Sequence, residues 1–584
     1  MLNTTTPIYE FGPFRLDLER YLLLRDEESI PLSPKAFETL VFLVQHRGEV
    51  AKKDDIISNI WPDTFVEESN LSQNIFLLRK ALGEDKHEHR YIVTIPGVGY
   101  RFVAPVREFE NTSTLEDKVV GPAVTSIAVL PFKSIAGRES DSFLGPGLAD
   151  ALIMRLSSIR HMKVRPTTAV LKYGSADHDP LRIGRELKVD ALLTGVIQHE
   201  GEKIRVSVQL VSVKDGITLW ADKFDDKFTD IFAIQDSISE QVVRSLALKL
   251  SGEEQRQIRK SYTDNPEAFQ LYLKGRYFWN QRTADGLKKS LEYAQQAIAL
   301  EPTYAAAYVG LADSYSLLGA QHGVLPPRES FPKARAAALR ALEIDGKMAE
   351  AYASLGFINC CHAWDWSAAE QNYLKAIELK PNYPTAHHWY GELLTTLGRF
   401  EEALMELQMA QELDPLSLAI NADLAASYYY ARQYEKSERQ LHNLLEFNAN
   451  FVRAHIILGK VYGQTGNHAQ GVQMLRRAVE LSNNDAATLS ALAHGLAIAG
   501  SISEARQSLD HLRQLQENRY VSAGSIAEIF VGLGQSDLAH EWLQRAFEDR
   551  DIEMIWLNVD PLFDPIRNDS RFKKLIQRVR PATG

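Results

Sequence analysis

Cysteine is almost absent from this chain of 584 residues, which contains only Cys360 and Cys361. Neighbours in sequence cannot form an ordinary structural crosslink, so a disulfide framework is excluded and a reducing compartment is favoured. The sequence also lacks any run of about 18 uncharged apolar residues and any basic-then-apolar signal pattern at its start. From these absences we expect a cytoplasmic protein without a membrane segment.

An excess of positive charge is missing as well. The formal net charge is −11, and residues 1–106 alone carry 12 Lys and Arg against 16 Asp and Glu. A protein coated with basic surface for nonspecific nucleic-acid binding is therefore excluded. Any contact with nucleic acid must be local, and has to be recognised from sequence pattern.

From about residue 265 the sequence repeats at a near-constant interval. A small or apolar residue recurs near the end of each unit at spacings of 44, 35 and then 34 five times over, at Ala297, Ala341, Ala376, Ala410, Leu444, Ala478, Leu512 and Ala546. Gly356, Gly391 and Gly459 recur where two antiparallel helices must approach closely. The pattern resembles the tetratricopeptide repeat (TPR), with about eight units over 265–551. This resemblance implies an all-α superhelix whose groove binds a protein or peptide partner.

The first segment shows three helical patterns followed by two alternating strands around Pro96–Gly99. Three helices and a β-hairpin indicate a winged helix-turn-helix. Its sequence resembles the OmpR-type effector domain of transcriptional regulators, in the branch typified by CadC and ToxR, at Leu32–Leu40, Leu78–Gly83 and Gly97–Phe102. The resemblance implies that the third helix enters the major groove of double-stranded DNA while the wing reaches a minor groove.

In the third helix, Leu71, Ile75 and Leu78 have the spacing of a core-facing stripe, which leaves the polar residues for DNA. We predict DNA-binding roles for Asn70, Ser72, Gln73, Asn74, Arg79 and Lys80 and, on the wing, for Arg101. Gln73 and Asn74 are the expected base readers, because amide side chains bond adenine bidentately. Many relatives carry basic residues where this chain has Phe76 and Leu77, so we expect modest affinity for one site. That expectation favours a homodimer on tandem half-sites, and RNA polymerase is a further candidate partner.

Residues 125–252 mix strand and helix patterns. Ser126–Phe132 is strand-like, Leu148–Ile159 has helical spacing, and three later strand-like runs indicate a meander. The segments resemble the amino-terminal module of TolB at Ser126–Phe132, Phe143–Leu152 and Leu219–Asp222. That resemblance implies an α/β fold with no known reaction.

The predicted fold class is therefore multidomain: a winged helix-turn-helix (α+β), then a mixed α/β domain, then an all-α TPR superhelix. The expected boundaries are a winged helix over 1–106, a polar linker over 107–124, the α/β domain over 125–252, the TPR array over 265–551 and C-terminal capping helices over 552–584.

No constellation of residues predicts a catalytic site, a metal site or a cofactor. Cys360-Cys361-His362 lacks the spacing of zinc ligands, and His387-His388 falls where TPR helices pack large residues. Gly145-Pro-Gly147 precedes a helix but lacks the lysine of a phosphate-binding loop.

The favoured interpretation is a soluble DNA-binding transcriptional regulator whose TPR array binds a partner protein or effector that controls it. One alternative is a TPR interaction scaffold in which the winged helix docks onto proteins, which predicts no salt-dependent DNA binding. Another is an enzyme with its catalytic site in the middle domain. The enzyme alternative requires a pocket of perturbed titratable groups there.

Overall fold

The computed structural model describes residues 8–18, 22–25, 28–30, 32, 34–60, 68–84, 90–109, 124–134, 144–159, 162–174, 179–200, 203–227, 231–246, 263, 265–280, 283–320, 325–517 and 519–580. The chain divides into two compact units, Met1–Pro122 and Ala123–Gly584. Among the described residues, no helix is both long enough and apolar enough to cross a bilayer.

The first unit combines two antiparallel sheets with three helices. Its larger sheet has the strand order β4-β3-β2-β1-β8, with β1 at Ile8–Phe11, β2 at Phe14–Asp17, β3 at Leu22–Arg25, β4 at Glu28–Ile30 and β8 at Arg107–Phe109. The helices are α1 (Pro34–Gln45), α2 (Lys53–Ile60) and α3 (Glu68–Ala81). The smaller sheet has the order β5-β7-β6 and contains β5 (Ala51–Lys52), β6 (Ile92–Ile95) and β7 (Gly99–Phe102). This is the winged helix-turn-helix that the sequence predicts.

The predicted linker 107–124 begins too early, because its first three residues belong to a strand. Arg107–Phe109 forms strand β8, which pairs antiparallel with β1 in the register Glu10↔Arg107 to Ile8↔Phe109. The segment looks like a linker because it is polar, yet an edge strand needs only its backbone groups to pair. The rest of the predicted linker, 110–123, lies outside the described residues.

The two glycines of the wing serve different purposes. Gly97 has φ of +73°, a conformation that suits glycine in a tight turn. Gly99 is needed for space, because a Cβ there would lie 2.0 Å from the carbonyl oxygen of Ala51 on β5. The close approach lets β5 pair with β7 and fixes the hairpin against the helices.

The second unit begins with a mixed α/β domain. Its sheet has the order β11-β9-β12-β13-β14, with β10 also paired to β12. The strands are β9 (Ser126–Val129), β10 (Lys133–Ser134), β11 (Lys163–Val164), β12 (Ala191–Glu200), β13 (Lys203–Ser212) and β14 (Thr218–Lys227). The helices are α4 (Leu144–Leu156), α5 (Thr167–Val170), α6 (Pro180–Glu186) and α7 (Ile231–Ser245). Strands β12, β13 and β14 are antiparallel, so the predicted meander is confirmed.

The remainder of the described chain is dominated by eight antiparallel helix pairs. Their bounds, in chain order, are α8 (Pro266–Asn280), α9 (Ala284–Leu300), α10 (Ala305–Ala320), α11 (Pro327–Ile344), α12 (Ala349–Ile358), α13 (Trp366–Leu379), α14 (Pro384–Thr396), α15 (Phe400–Leu413), α16 (Leu418–Tyr430), α17 (Tyr434–Phe447), α18 (Val452–Gln464), α19 (His468–Leu481), α20 (Ala486–Ile498), α21 (Ile502–Gln516), α22 (Ala523–Gly532) and α23 (Ser536–Asp549). The glycines predicted to allow close helix packing do so: a Cβ at Gly391 would lie 2.6 Å from Leu407 Cγ, and one at Gly459 would lie 2.5 Å from Leu475 Cγ.

The C-terminal segment differs from the predicted capping helices. It consists of two short 3-10 turns, Ile552–Trp556 and Pro561–Ile566, and one α-helix, α24 (Ser570–Val579). Pro561 and Pro565 restrict how far a regular helix extends here. The segment also does more than cover the last repeat, because Trp366 in the third helix pair donates its indole N–H to the carbonyl of Val579 at 3.0 Å.

Two helical glycines should respond in opposite directions to alanine. A Cβ at Gly356 would lie 2.6 Å from Cε1 of the fully buried Tyr373, whereas a Cβ at Gly310 meets nothing within 4 Å. We expect Gly356→Ala to lower the free energy of unfolding by about 1–3 kcal/mol through overpacking. Gly310→Ala should raise it by about 0.5–1 kcal/mol through helix propensity. Urea unfolding of both variants tests the pair, and equal effects would contradict the close packing at Gly356.

Candidate nucleic-acid interface and concave cavity

Helix α3 of the winged helix packs one face into the core of its unit. Leu71, Ile75 and Leu78 are 0%, 1% and 0% exposed, as their helical spacing predicts. They pack against α1 and the wing strands, among them Leu40 and Phe102. The opposite face of α3 is the part of the helix left for a ligand.

Asn74 lies on the inner side of α3 rather than on the outer one. Its side chain is only 7% exposed, and its Nδ2 donates to Oγ1 of Thr39 on α1 at 3.5 Å. The base-reading role predicted for Asn74 is therefore wrong, because a buried amide cannot reach a base edge without unpacking the helix.

Arg79 is held by the wing. Its guanidinium donates to the carbonyl of Ile92 at 2.9 Å and to Oγ1 of Thr94 at 2.8 Å. Glu84, which ends 3.6 Å from Arg79 Nε, accepts from the backbone N–H groups of Tyr91 and Ile92. Arg79 and Glu84 thus tie α3 to the start of β6. The predicted direct role of Arg79 in DNA binding does not fit a side chain committed to these bonds.

The outer face of α3 combines polar and apolar groups. Ser72, Phe76 and Lys80 are exposed at four-residue spacing, with Phe76 45% exposed, and half-buried Gln73 and Leu77 lie beside them. Residues four apart lie on one helical face, so these five side chains form a single surface, the α3 outer face. Sequence reasoning noted Phe76 as a missing basic residue and overlooked it as an apolar contact.

Two further residues predicted to bind DNA are Asn70 and Arg101. Asn70 is within α3, but its side chain lies outside the described residues. Arg101 is half-buried on β7, where it pairs in register with Val93. At the tip of the same hairpin, Val98 is 43% exposed, so the wing presents an apolar tip.

In the second unit, the α/β domain is fastened to the TPR helices by Arg165. This guanidinium is 5% exposed and donates to the carbonyls of Glu412 at 2.6 Å and Leu413 at 3.0 Å, at the C-terminus of α15. It also donates to the carbonyls of Leu187 and Lys188 in its own domain. A cation at a helix C-terminus is favoured by the unpaired carbonyls there.

Further polar contacts surround Arg165. Lys163 Nζ donates to Glu412 at 2.6 Å, and Thr168 Oγ1 donates to Asp414 at 2.6 Å. Asn382 Nδ2 donates to the carbonyl of Met162 at 3.2 Å. Together these bonds hold the edge of the α/β domain against the fourth helix pair.

The C-terminal segment closes the other side of the array. Tyr430 stacks on Trp556 with ring centroids 4.7 Å apart, and Tyr429 donates to Asp560 at 3.0 Å. Arg432 forms an ion pair with Asp564 at 2.7 Å. The C-terminal segment is therefore bonded to the fifth helix pair as well as to the third.

These contacts enclose a concave cavity of about 1360 Å³ lined by both the α/β domain and the TPR helices. Charged side chains line it in pairs: Arg276 donates to Asp150 at 2.9 Å and Lys380 donates to Glu350 at 2.9 Å. Aromatic side chains fill the spaces between them, among them Trp279, Tyr383, Trp389 and Phe447. A cavity of this kind accepts a ligand with both charged and apolar parts.

Behind Glu553, which lines the cavity, lies a buried cluster that has more carboxyls than cations. Lys460 lies 3.7 Å from both Glu528 and Asp560. Burial raises the pKa of Glu528 to about 7, and burial together with Glu528 raises the pKa of Glu553 to about 8. This excess of buried negative charge comes from residues far apart in sequence, so no local motif predicted it.

Of the residues that the sequence does not predict to bind metal, Cys360, Cys361 and His387 have packing or hydrogen-bond partners. Cys360 and Cys361 are buried free cysteines in a π-helical turn, Asn359–Ala363. His387 bonds Glu406 through Nδ1 at 2.6 Å and the carbonyl of Pro381 through Nε2 at 2.8 Å.

Comparison with known families finds four matches along the chain. Residues 26–102 match "Transcriptional regulatory protein, C terminal", and residues 123–241 match "HilA/YgeH-like transcriptional regulator, second domain". Residues 372–405 and 452–485 match tetratricopeptide repeats. The middle domain thus has a HilA-type match, and its TolB resemblance stays a prediction.

Three relatives illustrate the range of similar proteins. The transcriptional regulator HilA of Salmonella typhimurium is 28% identical over 427 residues, 72% of this chain and 73% of HilA. The putative adenylate cyclase 3 of Rhizobium meliloti is 28% identical over 237 residues, 40% of each chain. The transcriptional activator CadC of Escherichia coli is 33% identical over 101 residues, 17% of this chain and 20% of CadC.

The excess of carboxyls should make the second unit less stable as pH rises. Because the pKa of Glu553 is about 8 in the folded state against an ordinary 4.5, this group costs no stability below pH 4.5 and a growing amount as pH rises towards 8. Glu553→Gln should therefore flatten the fall in unfolding midpoint between pH 5 and pH 8, and stabilise by on the order of 1 kcal/mol at pH 8. The exposed Glu446→Gln is the matched control. If the unfolding midpoint of Glu553→Gln falls between pH 5 and pH 8 by as much as that of the wild type, the raised pKa of Glu553 is contradicted.

Proposed function

We propose that this chain is a transcriptional regulator similar to HilA and CadC, that the α3 outer face of its winged helix reads duplex DNA, and that a partner in the concave cavity controls it. The observation that carries the first part is the exposed Phe76 in the middle of that face. An exposed ring there can cover an apolar group of the DNA, and the major groove offers one in the thymine methyl group.

The neighbours of Phe76 complete a reading surface. The amide of Gln73 suits adenine, and Lys80 and Ser72 suit phosphate oxygens. Gln73 next to Phe76 matches an A·T pair, in which the amide bonds adenine while the ring covers the methyl of the opposite thymine. Asn74 and Arg79 support this surface from behind by holding α3 to α1 and to the wing.

The partner site follows from the two walls of the cavity. Thr167, Thr168 and Lys172 of the α/β domain line it together with TPR residues such as Lys380 and Arg453. A volume of about 1360 Å³ exceeds the roughly 300–1,000 Å³ of small-molecule pockets, so it favours a protein segment as occupant. A partner that binds one arrangement of the domains better shifts the chain towards that arrangement.

The remaining features of the function are also proposals. RNA polymerase is the candidate protein partner, and a homodimer on tandem half-sites offsets the small number of basic residues on the α3 outer face. The cytoplasm is the compartment in which a regulator of this kind meets genomic DNA. The polymerase contact is tested by a mobility-shift assay with purified RNA polymerase, in which a ternary complex should form. The homodimer is tested by footprinting, and protection of only one half-site at saturating protein would contradict it.

We expect no enzymatic activity, although one relative is named a putative adenylate cyclase. An enzyme of the kind considered above would need carboxyls of raised pKa in the α/β domain. In the described part of the chain, such carboxyls lie instead on the TPR helices and the C-terminal segment, at Glu392, Glu528 and Glu553. Incubating the full chain with ATP and Mg²⁺ should give no cyclic AMP above a heat-denatured control. Cyclic AMP formed in proportion to protein would overturn this expectation.

The reading surface can be tested by removing either the ring or the methyl group. Selection from random duplexes at two salt concentrations supplies binding sites, and each thymine in turn is then replaced by uracil, which lacks the methyl. We expect one of these replacements to weaken the binding of the wild type about three- to fivefold, which is the value of one buried methyl contact. The same replacement should leave the affinity of Phe76→Ala for the duplex unchanged.

The control is Leu300→Ala, which removes an equally exposed apolar side chain from a TPR helix. It should keep the wild-type response to uracil. If Phe76→Ala is as sensitive to uracil as the wild type, Phe76 does not read the methyl. If no duplex binds at either salt concentration, the winged helix is a protein-docking module and the scaffold alternative stands.

A further inference from the structure

One cluster in the TPR array combines an imidazole with two carboxylates. His388 and Glu392 lie one turn apart on α14, and Asp423 faces them from α16, the first helix of the next pair. His388 Nε2 is 2.7 Å from Asp423 Oδ2 and 4.0 Å from Glu392 Oε2, and the three ligand atoms all lie within 4.8 Å of one another. In the described part of the chain, this is the one group of three such residues with the spacing of metal ligands.

The distances suit a small divalent cation. Zinc bonds nitrogen and oxygen at about 2.0–2.2 Å, so neighbouring ligands of a tetrahedral ion lie roughly 3.3 Å apart. The observed 2.7 Å and 4.0 Å bracket that value, and shifts of a few tenths of an ångström would bring both ligands to it. The side chains are 9%, 20% and 3% exposed for His388, Glu392 and Asp423, so they are shielded from bulk water.

Glu392 and Asp423 share the same two basic neighbours, Arg453 and His388. Elsewhere on the cavity wall Asp150 has Arg276 and Glu350 has Lys380. Arg453 bonds Oδ1 of Asp423, which leaves Oδ2 for another partner, while the nearest charge partner of Glu392 among the described residues is His388 at 4.0 Å.

The cluster also opens onto the cavity. His388 and Arg453 both line it. Three protein ligands with a free coordination position are the arrangement of zinc sites that bind an exchangeable water or ligand group. The Arg453 guanidinium would act from outside the coordination shell by fixing the orientation of Asp423.

We propose that His388, Glu392 and Asp423 bind one divalent transition-metal ion, Zn²⁺ being the best fit to one nitrogen and two oxygen ligands, with a fourth position directed into the concave cavity. Binding replaces the hydrogen bond between His388 Nε2 and Asp423 Oδ2. The site goes beyond the proposed function and does not depend on it.

The test uses the full chain after removal of metal by a chelator. Titration with Zn²⁺ followed by calorimetry, and with Co²⁺ followed by its visible absorption, should show one ion per chain. His388→Gln and Glu392→Gln should each weaken Zn²⁺ binding roughly tenfold or more and remove the Co²⁺ absorption.

The neighbouring His387→Gln is the matched control, because His387 is bonded to Glu406 and to the carbonyl of Pro381 instead of to the cluster. It should bind Zn²⁺ like the wild type. Circular dichroism establishes which variants are folded, and Glu392→Gln decides the matter if His388→Gln does not fold, since Glu392 makes no hydrogen bond among the described residues. Absence of one-to-one binding by the wild type, or wild-type affinity in a folded Glu392→Gln, would overturn the proposal.

Discussion

The concave cavity depends on the buried guanidinium of Arg165. Four carbonyl groups from two parts of the chain converge on it, two from its own domain and two from the end of α15. A buried cation is costly unless its donors are satisfied, so this side chain holds the α/β domain and the TPR helices at one fixed separation. Lys163, Thr168 and the ion pair of Asp150 with Arg276 join the same two parts of the chain.

The TPR array holds several of its ionisable residues in partly buried ion pairs. Arg276, Lys380, Arg453 and Lys460 each lie within ion-pair distance of at least one carboxylate. Paired charges of this kind add little to stability, because desolvation offsets much of their attraction. They are better suited to recognition, since a ligand that brings its own charges can exchange partners with them inside a shielded space.

Local pattern predicted the elements of this protein well, and contacts between distant residues poorly. The constant 34-residue interval and the glycines at positions 391 and 459 were enough to predict the helix pairs. In each repeat the two helices pack against each other through residues close together in sequence. Asn74 was misplaced because the partner that buries it, Thr39, is on another helix. The cavity could not be predicted at all, since pairs such as Asp150 with Arg276 join residues of different domains.

Arrays of repeats normally unfold from their ends, because each repeat contacts only its neighbours. Here the C-terminal segment is bonded to the third and fifth helix pairs, through Val579 with Trp366 and through Asp560 with Tyr429. The last repeat therefore cannot fray without breaking contacts in the middle of the array. The linear stack becomes a closed cooperative unit, in which an event at one repeat changes the free energy of repeats several positions away.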